Sequence, residues 1–150
     1  MAVQDLYDKA CEAANKGNYG YAIELYREVL RLEPEYEGAR VLLRGTERRR
    51  MEENASLVYK ALCLLRGLWS FLKASVQFNK PLKRLESCED FLEWNPNNTR
   101  VLLMAGKAAR KARLNEASKS ILKDLLSQQP ENKAALQSLG DQLQEDGQTR

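Results

Sequence analysis

A pattern that recurs 34 residues apart constrains this chain more than any other feature. Leu102, Ala105, Gly106 and Ala109 are matched, 34 positions later, by Leu136, Leu139, Gly140 and Leu143. Between them Leu114, Ala117, Ile121, Leu122, Leu125 and Leu126 run at helical spacing to Pro130, and Pro96 closes another helical run 34 positions earlier. A fixed period of this length belongs to stacked helix pairs: one pair cannot bury its apolar face alone, and stacking makes a continuous core. The pattern moves the functional question from a catalytic pocket to a binding groove.

Composition agrees with helix and removes most chemistries. The 150 residues are one domain by size, 43% hydrophobic with only four Pro and eight Gly, as a folded helical chain requires. There is no histidine, which removes Ser–His and Cys–His pairs and the commonest metal ligand. Cys11, Cys63 and Cys88 are far apart and form no CxxC, so they read as free, buried thiols of a reducing compartment. There is no Gly-rich phosphate loop, and the neighbouring carboxylates Glu52/Glu53 and Glu89/Asp90 do not share a helix face. The expectation is a chain that is not an enzyme, with no cofactor and no metal.

The first residues carry acids and no apolar core, unlike a signal peptide. The most apolar stretch, Leu57 to Phe78, is broken by Lys60, Arg66 and Lys73, too charged for a standard membrane span. A cytoplasmic protein is expected, so the N-x-S/T triplets at Asn54 and Asn97 carry no glycosylation.

Periodicity predicts a helix from Val3 to Lys16 on Leu6, Ala10, Ala13 and Ala14, ended by Gly17 and Asn18. A second spans Tyr19 to Leu32 on Ala22, Ile23, Tyr26, Val29 and Leu30, closed by Pro34. The segment from Asn18 to Pro34 resembles the second helix of a tetratricopeptide repeat (TPR). Small Ala22 sits where two helices approach closely, aromatic Tyr26 fills the space one turn later, and Pro34 breaks the helix. The corresponding residues are Ser118, Leu122 and Pro130 in the last full repeat, and Arg84, Cys88 and Pro96 in the middle one. Arg84 departs from the pattern, so helix packing there differs or Arg84 points outward.

The resemblance implies an all-α, right-handed helical-hairpin solenoid of about seven helices, in a single domain. Residues 3–34 form the first repeat, 37–80 an irregular long-helix region, 81–130 further repeat helices and 132–147 a C-terminal capping helix. In the irregular region Tyr36 to Arg50 reads as one helix. Glu53 to Phe78 reads as a long helix bent near Gly67, or as two shorter helices broken there. Pro81 suits the first turn of the next. Trp69 and Trp94 read as core or repeat-junction fillers.

Charge is uneven along the chain. Residues 40–84 hold 11 basic and 3 acidic side chains against a whole-chain net of +3. Arg40, Arg44 and Arg48 are spaced four apart on one helix face, followed by Arg49 and Arg50. With no nucleic-acid motif beside it, this block reads as a solvent-exposed face, and nucleic acid is not an expected partner.

In TPR-like stacks the first helix of each pair lines the concave groove. The resemblance therefore places Arg100, Leu103, Lys107, Arg110 and Lys111 there, with Arg66, Trp69 and Lys73 from the preceding repeat. This describes a basic groove for another protein or peptide of acidic character, in a scaffold or adaptor. The asparagine of the carboxylate-clamping TPR set is missing, so that specificity is not carried over. The alternative is a peripheral membrane or self-associating assembly factor acting through the basic amphipathic region 40–80. The membrane surface is the less favoured partner, and a homodimer through Leu57–Phe78 is the third reading.

Overall fold

The computed structural model describes residues 2–36, 38–54, 56, 61, 65, 68, 69, 72, 76 and 79–148. Among these residues there are seven helices and no strand: α1 (Val3–Asn15), α2 (Tyr19–Leu32), α3 (Ala39–Glu53), α4 (Pro81–Leu92), α5 (Thr99–Lys111), α6 (Asn115–Gln128) and α7 (Lys133–Gln148). Gly67 and most of its neighbours lie outside the described residues, and with them the question of one long helix or two. Ala61, Leu65, Leu68, Trp69, Leu72 and Val76, the described positions there, are helical.

Local chemistry sets the helix ends. Gly17, at φ +77°, ends α1: its N–H meets the Ala14 carbonyl at 3.1 Å, and the Asn18 N–H meets that of Ala13 at 2.9 Å. This double closure satisfies the last carbonyls of the helix and needs a left-handed residue. Gly38, at φ +79°, opens α3, and a turn holds Tyr36 before it through an N–H bond to the Glu33 carbonyl of 3.0 Å. That is why α3 begins at Ala39 rather than Tyr36. Pro81 occupies the first turn of α4. Asn98 and Asn132, 34 residues apart, cap α5 and α7 alike: each side-chain oxygen accepts an N–H, from Val101 and from Ala135, at 3.1 Å.

Apolar faces at helical spacing then close two separate cores. The first joins α1, α2 and α3 through Leu6, Ala10, Ala22, Tyr26, Val29 and Leu43. The second joins α4, α5, α6 and α7 through Leu85, Leu92, Leu102, Ile121, Leu125 and Ala135. A fully buried Leu or Ile stabilises the fold by about 1.5–3 kcal/mol relative to exposure, so each core is a substantial unit.

The small residues at the repeat positions have a packing reason. A Cβ on Gly106 of α5 would lie 2.9 Å from Leu122 Cδ2 of α6, inside van der Waals contact. Ser118 donates its hydroxyl proton to the Gly106 carbonyl at 2.8 Å, and Gln142 of α7 donates to Ser118 Oγ at 2.8 Å. In the first hairpin Ala10 and Ala22 are fully enclosed. Arg84, the large residue at the same repeat position, is only half-buried.

Candidate functional site

The α5 face follows directly from helix geometry. At 100° per residue Arg100, Leu103, Lys107, Arg110 and Lys111 fall within an arc of about 100°. Ala105, Gly106, Ala108 and Ala109 turn into the core and fix that orientation. Leu103 is half-buried and packs against the second core. Arg100, Lys107 and Lys111 are exposed, and none has an ion-pair partner among the described residues. Arg110 differs: it reaches α7, with Nη2 2.6 Å from Glu145 Oε1 and Nη1 3.9 Å from Asp141 Oδ2. The charge on this face of α5 is thus mixed at Arg110. Arg66 and Lys73 lie outside the described residues. Trp69 is described and is 65% exposed, so it is not the core or junction filler that its size suggested. Trp94 is half-buried and carries the Arg50 guanidinium 4.9 Å above its ring.

The Arg40–Arg50 block corrects the sequence reading. Only Arg49 is exposed; the other four arginines are not a solvated face. Arg40 and Arg44 are 7% and 2% exposed and both pair with Glu89 of α4, while Arg44 also pairs with Glu47 on its own helix. Arg48 binds Asp124 of α6 and donates from Nε to Asn97 Oδ1 at 2.9 Å. Arg50 donates to the Glu93 backbone carbonyl at 2.8 Å. From α2, Arg27 grips both Asp90 and Glu93. Burial pushes Glu47 above the ordinary carboxylate range, against the pull of Arg44. It also lowers Arg40 to about 10, still charged at neutral pH.

A seam of charge therefore joins the two apolar cores. Its acidic half was present in the sequence: Glu89 and Asp90 follow Glu86 by three and four positions and precede Glu93 by four and three, so, although adjacent, they flank one broad acidic arc of α4, which corrects the reading that kept them apart. Glu35, from the turn after α2, adds a helix cap by accepting the Glu116 N–H of α6 at 2.9 Å. That carboxylate sits at the positive end of α6, where the first N–H groups lack partners.

Beside the seam, α2 and α4 enclose a cleft of about 670 Å³ that sequence reasoning did not anticipate. Ile23, Leu30, Leu43 and Leu85 supply its apolar walls, with exposed Leu82 at the edge. Six carboxylates and three arginines also line it. All three arginines are spent on carboxylates that also line the cleft, Arg27 on Asp90 and Glu93, Arg31 on Glu28, Arg40 on Glu89. Glu24 and Glu86 remain exposed and without an ion-pair partner among the described residues. The uncompensated charge of the cleft is acidic.

The sequence matches no protein-family model and no curated protein. Solved structures resemble it in shape. The first TPR of Spaghetti (RPAP3), bound to an HSP90 peptide SRMEEVD, is 17% identical over 97% of this chain and 93% of that one, with a TM-score of 0.47. The Arabidopsis OM64 TPR domain is 14% identical over 96% of each chain, with a TM-score of 0.42. The MamA protein is 14% identical over 97% of this chain and 82% of that one, with a TM-score of 0.51. At such identities the likeness is one of fold. The chain is an all-α, TPR-like solenoid of helical hairpins, the architecture its 34-residue period implies.

Proposed function

We propose that this chain is a non-catalytic protein-interaction module that holds an acidic partner segment along α5. One observation carries the reading: Arg100, Lys107 and Lys111 are exposed on one face, without ion-pair partners among the described residues, beside the half-buried Leu103. Arg40, Arg44, Arg48 and Arg50 of α3 are committed to carboxylates within the fold, and α5 gathers three exposed cations on one face. A rigid helix face presents them with little ordering cost on binding. Cys88 supports a non-catalytic reading, because burial pushes its thiol up to about 11 and leaves no ready nucleophile. The free thiols at Cys11 and Cys88 fit a cytoplasmic setting.

The test is a peptide array of acidic and charge-neutral eight-residue segments, read against the wild type and Lys107→Glu/Lys111→Glu. Arg110 is left intact because it braces α7. The reading expects acidic segments to be preferred, with binding lost about tenfold or more in the variant and an unchanged melting temperature. Equal capture of acidic segments by both proteins would remove the α5 face from the function.

A further inference from the structure

We infer that Asp141 and Glu145 of α7 are an internal competitor for the α5 face: they hold Arg110 until the carboxylates of a bound segment displace them, and so set how acidic that segment must be. The inference rests on the α5 reading above and concerns the regulation of that same site. The two helices differ in charge. α5 carries Arg100, Lys107, Arg110 and Lys111 with no acid, whereas α7 carries Asp141, Glu145 and Asp146 against Lys133 alone. Arg110 is where they meet, with Nη2 2.6 Å from Glu145 Oε1 and Nη1 3.9 Å from Asp141 Oδ2.

The contact falls at the border of the site. At 100° per residue Arg110 stands about 60° from Lys107 and about 20° from Leu103 around α5, and residues three apart are neighbours on a helix surface. The α7 carboxylates thus lie at the edge of the surface that a segment along Lys107 would cover. Their grip is exchangeable. The side chains of Arg110, Asp141 and Glu145 are 32%, 51% and 65% exposed, and an ion pair so open to water adds little to folding. A second carboxylate can replace the first at small cost. Arg44 and Glu47, 2% and 1% exposed, have no such freedom. Nor does α7 depend on the pair to stay in place: Ala135 is fully enclosed in the second core, and Gln142 donates to Ser118 Oγ at 2.8 Å. A segment with several carboxylates can satisfy Arg110 as well as Lys107 and Lys111. Repulsion from α7 weighs most on one that cannot.

The test is fluorescence anisotropy with a labelled octapeptide of Glu and Leu, and its Gln and Leu counterpart as the neutral control. Four versions of the chain are compared: the wild type, Asp141→Asn/Glu145→Gln, Arg110→Gln and the triple variant. Both acids are exposed, and thermal melts check that each version folds. Removing the acids should tighten the Glu peptide about two- to fivefold, the range an exposed ion pair supplies, and leave the neutral peptide unchanged. In the Arg110→Gln background that gain should shrink, because Arg110 is what the acids withhold. A gain as large without Arg110 overturns the inference, since it reports repulsion alone, and so does the absence of any gain. The α5 reading is judged separately, by loss of the Glu peptide in Lys107→Glu/Lys111→Glu. A chain sensitive to that reversal but indifferent to the α7 acids keeps the reading and loses the inference. If no version captures the Glu peptide, both fall.

Discussion

Arg48 of α3 closes on Asp124 of α6 across 76 residues of sequence, its Nη2 2.6 Å from one carboxylate oxygen and 2.8 Å from the other. The two residues belong to helices of different apolar cores. With Arg27, Arg40, Arg44 and Arg50 contacting α4 and its C-terminal end, the halves of the molecule are joined by guanidinium–carboxylate pairs, and the joint has a gradient of burial.

That gradient predicts an order of damage. Glu89→Gln leaves Arg40 facing a neutral group and Arg44 with Glu47 alone, both arginines being nearly solvent-free. It should cost about 3–5 kcal/mol, the range for one lost partner of a buried pair. Asp124→Asn removes the partner of Arg48, whose side chain is 25% exposed, and should cost about 1–3 kcal/mol. Urea unfolding of both variants checks this. A Glu89→Gln protein as stable as Asp124→Asn would mean that the buried pair is not holding the halves together.

Glycines at the same repeat position should respond with opposite signs. Gly106→Ala pushes a methyl group to 2.9 Å from Leu122 Cδ2. Overpacking costs about 1–3 kcal/mol and outweighs the roughly 1 kcal/mol of helix propensity gained, so a net loss is expected. Gly140→Ala meets nothing within 4 Å and should stabilise by up to about 1 kcal/mol. Thermal melts of the two single variants read the signs directly.

Arg113 holds a left-handed conformation, φ +62°, where α5 ends. Its N–H meets the Arg110 carbonyl at 2.9 Å, and the Leu114 N–H meets that of Ala109 at 3.0 Å, the closure that Gly17 makes after α1. A side chain in that region carries strain that glycine lacks. Arg113→Gly should raise stability by about 0.5–1 kcal/mol, measured as a shift of the urea midpoint at constant slope. A destabilised variant would show that the arginine side chain contributes more than its backbone costs.

Cys88 offers a pH-linked probe. Burial raises its thiol to about 11, above the ordinary value of about 8.5, so the folded state favours the protonated form. Its contribution to stability is complete below about pH 8.5 and is lost as pH rises through about 11. In a Cys11→Ser/Cys63→Ser background, iodoacetamide at pH 8 should modify Cys88 only as fast as the protein opens. Stability should fall across that alkaline window. Modification at the rate of a free thiol, followed by mass spectrometry, would contradict the buried setting.

The sequence disclosed what repeats and concealed what pairs. Helical spacing around Ala22, Tyr26, Ser118 and Leu122 located the hairpins, because small and large residues must alternate where helices touch. Gly17, Pro34, Pro81 and Pro96 marked their ends through backbone limits that are local. Spacing also put Arg40, Arg44 and Arg48 on one side of α3, but it could not say what packs against that side. Their carboxylates stand on α4 and α6, and only the packing of the two halves brings them together. Trp69 misled for a related reason: size favours burial on average, while its actual exposure depends on how the neighbouring helices are placed. On α5 the sequence located the cationic face, yet the acid facing Arg110 comes from α7, a helix expected only to cap.

The inward commitment of the α3 arginines alters how the charge of this chain should be understood. Its formal excess of +3 at pH 7 is a sum over the whole chain and does not say where an approaching polyanion meets positive charge. Arg40 and Arg44 are cancelled by Glu47 and Glu89 inside the molecule, so retention on a cation-exchange resin is governed by cations elsewhere, Arg100, Lys107 and Lys111 among them. Unfolding releases the hidden arginines, and the denatured chain should present a more evenly basic middle than the native one ever exposes.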